Sequence, residues 1–235
     1  MEIPAKAKII SLFLKLTVFL SATVGILLSA HAAKGTFMSG GRVFMFFTIQ
    51  SNIAIATIAF VGAILLLKKI EGNVWSVVQF VGTVSITLTG VVFTFVLAPT
   101  LGDAAWNAQN ILTHIVVPIT AILDFFVIGA YCKIRKRSVF YVILPPGLYA
   151  LYAGIGYAAG WEFVDGINYP YFFLNWGSPA GAFGFASELP FMGCVWWILA
   201  LLLFLIALGY SYLLIVDRIR KKLTNRNLRS EHADI

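Results

Sequence analysis

The chain has 235 residues, of which 60% are hydrophobic and only 11% are charged. A soluble domain carries about 25% charged residues, so this composition excludes an ordinary soluble protein and indicates a membrane protein with several spans. The net charge of +7 is concentrated in short connections and in the C-terminal tail. This pattern is typical of membrane orientation and does not favour a nucleic-acid partner.

Six hydrophobic segments are long enough to be transmembrane helices. The hydrocarbon core of a bilayer requires about 20 helical residues, and each segment has roughly 22 to 28. The predicted fold class is therefore all-α, with one six-helix transmembrane domain at 1–220 and a polar tail at 221–235. The predicted spans are about 9–31, 44–67, 74–98, 109–131, 138–160 and 189–216.

The first hydrophobic segment also resembles a secretory signal peptide. It has Lys6 and Lys8 before an apolar core, and it ends near Ala30-His31-Ala32, which is similar to a small-x-small cleavage site. We expect this segment to be retained as the first span, because six spans give a consistent charge topology and five do not.

The distribution of lysine and arginine predicts that both termini are cytoplasmic. Basic residues cluster at one side of the predicted topology, whereas the other side has only Lys34 and Arg42. We expect the tail to be disordered or to lie on the membrane surface. The clusters are Lys6, Lys8 and Lys15; Lys68 and Lys69; Lys133, Arg135, Lys136 and Arg137; and Arg218, Arg220, Lys221, Lys222, Arg226 and Arg229.

The connection at 161–188 is too aromatic to lie free in water. It is consistent with an aromatic belt at the membrane interface, or with a lid or partly re-entrant segment whose backbone is covered by protein. Both interpretations place it at the outer face. Its aromatic residues are Trp161, Phe163, Tyr169, Tyr171, Phe172, Phe173, Trp176, Phe183 and Phe185.

Polar side chains inside the predicted spans are the candidates for a functional site, because a polar group in the bilayer is costly unless it has a partner. Thr48 and His114 lie about four and five residues into spans that both run inward from the outer face. At 1.5 Å per residue they lie at a similar depth, roughly 6–8 Å below the helix ends. The helical period places Ser51 and Asn52 on the face of Thr48. It also places Asn110 one turn from His114.

These residues are of the types that a hydrolytic site requires. A neutral imidazole at His114 can act as a general base toward the Thr48 hydroxyl, and Asn52 or Asn110 can donate to a developing oxyanion. Pro118, one turn below the histidine, can kink the helix and open a cavity. The alternative is that the same side chains only hold helices together by hydrogen bonds.

Asp124 is an acidic residue deep within a predicted span. It follows His114 by about 15 Å along the helix, which is beyond hydrogen-bond reach. We expect it to form a structural ion pair or to cap a polar cavity near Lys133 and Arg135. Glu188, at the outer start of the sixth span, could approach the histidine, but no feature of the sequence brings it there.

The sequence contains no Walker, dinucleotide-binding, G-x-S-x-G or H-E-x-x-H motif. Its histidines, His31, His114 and His232, are far apart, which disfavours a zinc site. Cys132 and Cys194 fall at opposite ends of the predicted topology and suggest no disulfide framework. We expect no metal and no cofactor.

Three short motifs lie near the predicted outer face: Phe47–Asn52, Leu112–His114 and Tyr169–Tyr171. Together with six spans and Pro118 after His114, they resemble the androgen-induced (ADTRP-type) membrane hydrolase family, and most closely its prokaryotic six-transmembrane relatives. The resemblance covers most of the chain between the first and the last span.

The resemblance implies a function and site residues. In the characterised eukaryotic members, a membrane-embedded threonine and histidine hydrolyse fatty-acid esters of hydroxy fatty acids without a metal. By similarity, Thr48 is the nucleophile and His114 is the general base. The motif Tyr169, Pro170 and Tyr171 is the candidate lid.

The predicted function is therefore hydrolysis of a lipid ester through a threonyl acyl-enzyme. An acyl chain would enter from the lipid beneath the connection at 161–188, and water from the outer face would resolve the intermediate. The run Gln50–Asn52 resembles the prokaryotic branch, so we expect a bacterial inner membrane and leave the ester's identity open. The alternatives are a non-catalytic lipid or small-molecule binder or transporter that uses the same cavity, and a scaffold with polar packing residues.

Overall fold

The computed structural model describes residues 3–34, 40–70 and 72–233, with side chains described as far as residue 225. The regular structure in these ranges is helical, apart from isolated β-bridges. Six helices in this part are long and apolar enough to cross a membrane, as in an all-α integral membrane protein. They are α1 (Ala5–Ala32), α2 (Phe47–Leu67), α3 (Asn73–Ala105), α4 (Ala108–Gly129), α5 (Lys136–Ala158) and α6 (Cys194–Ala233).

Helix α1 has one inward face and one lipid-facing surface. Its buried residues include Lys15, Val18, Ala22 and Gly25, which recur every three or four positions and so lie on one side of the helix. The small residues allow close approach, because a Cβ on Gly25 would lie 2.7 Å from Thr113 Cγ2 of α4. The opposite side is apolar and exposed: Ile9, Phe13, Leu16, Leu20, Val24 and Leu27.

Helices α1 to α4 pack on one another and form the centre of the bundle. One buried cluster includes Val18 of α1, Ile55 of α2, Ile86 of α3 and Val117 of α4. Helix α6 packs on the first turns of α5, and both helices border α3. Because lipid is as apolar as these side chains, close packing and polar contacts hold the helices together more than hydrophobic burial does.

The beginning of α2 differs from the prediction, and the difference matters for the site. The second span was expected from about residue 44, but Arg42–Met45 forms a separate 3₁₀ turn. Phe46 is extended, with φ −87° and ψ 140°, and α2 begins at Phe47. Thr48 therefore lies in the first turn of its helix, where backbone N–H groups have no helical partner.

The last helix also differs from the prediction. The sixth span was expected from residue 189, and the tail at 221–235 was expected to be disordered or to lie on the membrane surface. Instead α6 begins at Cys194 and continues unbroken to Ala233, so the described part of the tail is helical and not disordered. A position of the tail on the membrane surface stays a prediction. No glycine or proline interrupts α6 from Tyr210 onward, which permits the polar tail to remain helical. The final two residues lie outside the described residues.

Helices α3 and α4 each contain a π-helical turn, at Phe93–Leu97 and Leu112–Val116. Such turns are rare and occur frequently at functional sites. Shortly after the turn in α4, Pro118 has no N–H to donate to the carbonyl of His114 four residues earlier. A Cβ on Gly90 of α3 would lie 2.8 Å from that carbonyl oxygen, so the two helices are in close contact beside the histidine.

A buried ion pair joins α1 to α4. Lys15 binds Asp124, and both side chains are almost fully buried. Asp124 also accepts hydrogen bonds from Ser11 and from Gln79 Nε2, the latter at 3.1 Å. The expectation of a structural ion pair at Asp124 is confirmed, but the partner comes from α1 rather than from the connection after α4. Lys15 was grouped with the charges of the N-terminal end, and it lies instead inside the bundle.

The connection between α5 and α6 is folded against the bundle in its first half. Phe163 and Phe173 are buried, and both Phe163 and Tyr171 make edge contacts with Phe46, two residues before Thr48. The second half contains aromatic residues that remain exposed, such as Phe185. The first half is therefore covered by protein, as in the lid interpretation, and the second half resembles an interfacial belt.

Ion pairs fix this connection to the turn before α2. Arg42 binds Glu162 at 2.9 Å and also binds Asp165. All three side chains are partly or largely exposed, so the pairs position the connection more than they stabilise the fold.

The two ends of the bundle differ in charge. Ile3, Lys69 and Lys133 border the same cavity, so the N-terminal start and two basic connections lie at one end. Arg220 of α6 donates to main-chain carbonyls just after α4, so the C-terminal helix reaches the same end. We refer to it as the basic end. Thr48 lies at the opposite end, and the side of the membrane that each end faces stays a prediction.

Candidate functional site

Thr48 and His114 are in contact. Thr48 Oγ1 lies 3.3 Å from His114 Nε2. Thr48 is the second residue of α2 and His114 is the seventh of α4, so their Cα positions differ more in depth than the sequence suggested. The imidazole side chain of His114 spans this difference in depth, because side chains on a helix point toward its N-terminus. The predicted contact is therefore present, and its catalytic role stays a prediction.

The imidazole of His114 is held in one orientation. Its Nδ1 lies 3.0 Å from the carbonyl oxygen of Asn110 and 3.0 Å from Thr113 Oγ1. Its ring stacks on Phe93, with centroids 3.8 Å apart. A carbonyl oxygen can only accept, so in the neutral imidazole Nδ1 carries the proton and Nε2 keeps its lone pair toward Thr48. This is the tautomer that a general base requires.

Thr48 is also in contact with Tyr171. The Thr48 N–H donates to Tyr171 Oη over 3.3 Å, and Thr48 Oγ1 lies 3.5 Å from the same oxygen. The N-cap residue Phe46 makes no side-chain cap hydrogen bond, so the Tyr171 hydroxyl serves as the acceptor for the Thr48 N–H. The positive end of the helix dipole lies at Thr48, where it stabilises negative charge on or near its oxygen.

Tyr171 is positioned by aromatic contacts. Its ring stacks on Phe173 at 5.1 Å and meets Phe46 edge-on at 5.8 Å. Burial raises the pKa of Tyr171 above its usual value, and hydrogen bonds with Thr48 offset part of this rise. The hydroxyl is therefore protonated at neutral pH and can donate a hydrogen bond.

Ser51 and Asn52 lie on the same side of α2 as Thr48, but their donors are already used. Asn52 Nδ2 donates to the carbonyls of Thr48 at 2.8 Å and Thr113 at 3.1 Å. The Ser51 hydroxyl contacts that of Thr89 on α3 at 2.8 Å. Asn52 thus joins α2 to α4 beside the threonine and histidine, and Ser51 joins α2 to α3.

Asn110 contributes to the site through its backbone. Its carbonyl accepts from His114, whereas its side-chain Nδ2 donates to the carbonyl of Ala105 at 3.0 Å. Asn52 has both amide hydrogens in use and Asn110 has one, and neither residue borders the cavity next to Thr48, so the expectation that either donates to an oxyanion finds no support in this arrangement. The hydroxyl donor beside the threonine is that of Tyr171 instead.

A small cavity lies next to Thr48. It has a volume of about 60 Å³, enough for a few water molecules. Four of the residues that line it carry a hydroxyl group: Thr48, Thr89, Tyr149 and Tyr171. The apolar lining, which suits an acyl chain, includes Leu88, Val92, Leu97, Ala150, Ile198 and Leu201.

The other predicted site residues lie apart from the pair. Pro170 is buried and Tyr169 is half-buried, and neither borders the cavity. Glu188 makes no contact with His114 in the described part of the chain; its carbonyl accepts from the N–H of Phe191 at 2.7 Å. Of the candidate lid, Tyr171 alone reaches Thr48 within the described ranges.

Sequence reasoning missed Phe93 and the role of Thr113. Phe93 belongs to a π-helical turn, which shifts the faces of α3, so the ordinary helical period does not assign it to the histidine. Thr113 was noted only as part of the motif Leu112–His114. Its position directly before the histidine in the sequence could have indicated that its hydroxyl contacts the imidazole.

Among the described residues, no group of three or more His, Cys, Asp or Glu side chains is arranged to hold a metal ion. Comparisons with models of protein families, with curated proteins and with solved structures find no match for this chain. Fold and site define an integral membrane protein with a threonine–histidine pair beside an apolar cavity. The resemblance to the androgen-induced hydrolases rests on the short motifs alone.

Proposed function

We propose that this protein is an intramembrane hydrolase of lipid esters, the activity that its motifs imply. Thr48 is the nucleophile and His114 is the general base. The observation that carries the proposal is the 3.3 Å contact between Oγ1 and Nε2, in an imidazole whose other nitrogen faces a carbonyl oxygen. Catalytic contacts of this kind are often long without substrate and shorten in the reacting complex.

In the first step, Thr48 Oγ1 attacks the carbonyl carbon of the ester while its proton moves to His114 Nε2. The Tyr171 hydroxyl donates a hydrogen bond to the negative charge that develops. When the tetrahedral intermediate collapses, the bond from carbon to the alkoxy oxygen breaks and His114 returns the proton to the leaving alcohol. The acyl group remains on the threonine.

In the second step, water takes the place of the alcohol. His114 accepts a proton from the water, and the hydroxide attacks the acyl carbon. The bond to Thr48 then breaks, the free fatty acid leaves, and the proton returns from Nε2 to the threonine oxygen. No net proton or electron is required from another group.

The lining of the cavity supports an acyl ester as the substrate class. A cavity with apolar walls and a few hydroxyl groups suits an acyl ester that enters from the bilayer. We also propose that the basic end is cytoplasmic, by the positive-inside rule, and that the membrane is a bacterial inner membrane. Thr48 would then lie near the outer face, where water is available for the second step.

Labelling of the purified, detergent-solubilised protein with a fluorophosphonate probe tests the proposal. We expect labelling of the wild type and a loss of about 100-fold or more in Thr48→Val and in His114→Gln. Thr57→Val is the matched control, since Thr57 lies on the same helix and its exposed hydroxyl binds only the carbonyl of Ile53, at 2.9 Å. It should label like the wild type.

Thermal unfolding of each variant separates loss of activity from loss of fold. Absence of labelling in folded wild-type protein, together with no release of fatty acid from ester substrates, would count against the hydrolase. A non-catalytic lipid or small-molecule binder or transporter would then be the better assignment. Equal labelling of Thr48→Val and wild type would exclude Thr48 as the nucleophile.

A further inference from the structure

A second groove lies at the basic end, away from the threonine and histidine. It is open, has a volume of about 750 Å³, and lies between the first turns of α3 and the connection from α4 to α5. Its rim is formed by Lys133, Arg135 and Arg137. This volume is within the range of known small-molecule sites, roughly 300–1,000 Å³.

The rim is positively charged, and no negatively charged side chain of the described residues lines the groove to neutralise it. In the part of the chain that the structure describes, Lys133, Arg135 and Arg137 form no ion pair, and no carboxylate is among the lining residues. Arg220, which also borders the groove, is already paired with Asp217 and bound to carbonyls after α4. The three rim cations are therefore available for an anion.

The wall of the groove is apolar. Val74, Val77 and Val78 follow the i, i+3, i+4 spacing and so share one face of α3. Val74 is 79% exposed, and Tyr141 of α5 is 52% exposed on the facing side. In a bilayer these side chains face acyl chains, directly beside cations at the level of the headgroups.

We propose that this groove binds one anionic glycerophospholipid. Its phosphate contacts Arg135 and Arg137, and its acyl chains lie along Val74 and Val78. Arginine suits phosphate because its planar guanidinium donates two parallel hydrogen bonds. An apolar wall alone would accept any lipid, so the charged rim is what selects an anionic headgroup. The wall in turn favours a lipid over free phosphate.

Native mass spectrometry of the full chain, released from nanodiscs of equal phosphatidylglycerol and phosphatidylcholine, tests the proposal. We expect one retained phosphatidylglycerol in preference to phosphatidylcholine. Arg135→Gln/Arg137→Gln removes the charge-assisted hydrogen bonds to the phosphate, so it should reduce retention by about ten-fold or more.

The chain offers a matched control for charge. Lys68→Gln/Lys136→Gln removes two cations at the same end of the bundle. Lys136 lies between the two arginines in the sequence, but neither lysine borders the groove. We expect this variant to retain phosphatidylglycerol within about two-fold of the wild type. A third variant, Val78→Trp, fills the wall without changing charge and should also lower retention.

Three results would overturn the proposal. The first is a wild type that retains both lipids equally, and the second is a control variant that loses as much as the arginine variant. The third is retention of inorganic phosphate in place of lipid, which would show an anion site without a lipid. The assay makes no use of Thr48, so its outcome is independent of the proposed hydrolase.

Discussion

Phe93 and His114 are stacked, with ring centroids 3.8 Å apart and planes inclined by 20°. Each ring comes from a π-helical turn, one in α3 and the other in α4. The stacking fixes the plane of the imidazole, while the Asn110 carbonyl fixes its rotation within that plane. The direction of Nε2 toward Thr48 therefore depends on both neighbours.

Replacing Phe93 tests this dependence. Phe93→Leu keeps an apolar side chain but removes the flat surface under the imidazole. We expect labelling by the fluorophosphonate probe to slow by about ten-fold or more, because small misplacement of a catalytic group is costly. Stability should fall by only about 1–2 kcal/mol, as for other apolar exchanges. Phe95→Leu, on the same turn but 74% exposed, is the control and should leave both quantities unchanged.

The buried ion pair predicts a different outcome. Lys15→Met leaves the carboxylate of Asp124 without its cation, so we expect a loss of about 3–5 kcal/mol in the free energy of unfolding in detergent. Lys15→Met/Asp124→Asn removes both charges and should recover most of the loss. Lys8→Met is the control, because Lys8 lies two turns earlier without an ion pair among the described residues. A Lys15 variant as stable as that control would contradict this account.

Several features could be predicted because they depend on composition and on helical spacing alone. The number of long apolar helices follows from hydropathy, and the placement of Ser51 and Asn52 on the face of Thr48 follows from the helical period. For Thr48 and His114, helical spacing predicted a similar depth, which a contact requires. It did not specify that α2 and α4 are neighbours whose side chains meet at 3.3 Å.

Other features depend on which helices are neighbours, and no local pattern specifies this. Asp124 has its partner 109 residues away on α1, and the sequence offered nearer cations after α4. Asn52 was expected to be a free donor, but the carbonyls of Thr48 and Thr113 occupy its amide. Lys15 and Thr113 belong to different helices from the residues that they bind, and only the packed bundle brings them together.

The close contact of α3 with α4 at Gly90 should be sensitive to a single methyl group. In Gly90→Ala the new Cβ would lie 2.8 Å from the His114 carbonyl and 3.2 Å from Pro118, so the helices must separate. We expect a loss of about 1–3 kcal/mol in unfolding free energy, and slower labelling of Thr48. Gly147→Ala meets nothing within 4 Å and should be neutral or slightly stabilising in the same assays.

The hydroxyl of Tyr171 should matter more for rate than for fold. Tyr171→Phe keeps the aromatic contacts but removes the donor beside Thr48 Oγ1 and the acceptor of the Thr48 N–H. Labelling should slow by about 100-fold. The free energy of unfolding should fall by only about 1–3 kcal/mol, because one N–H loses its acceptor. Burial raises the pKa of Tyr171, so the donor form persists beyond the usual tyrosine value of about 10. The wild type should therefore exceed the variant by a constant factor from about pH 6 to pH 10. Convergence of the two rates within that range would contradict this role, and Tyr152→Phe, whose hydroxyl has no hydrogen bond among the described residues, is the control.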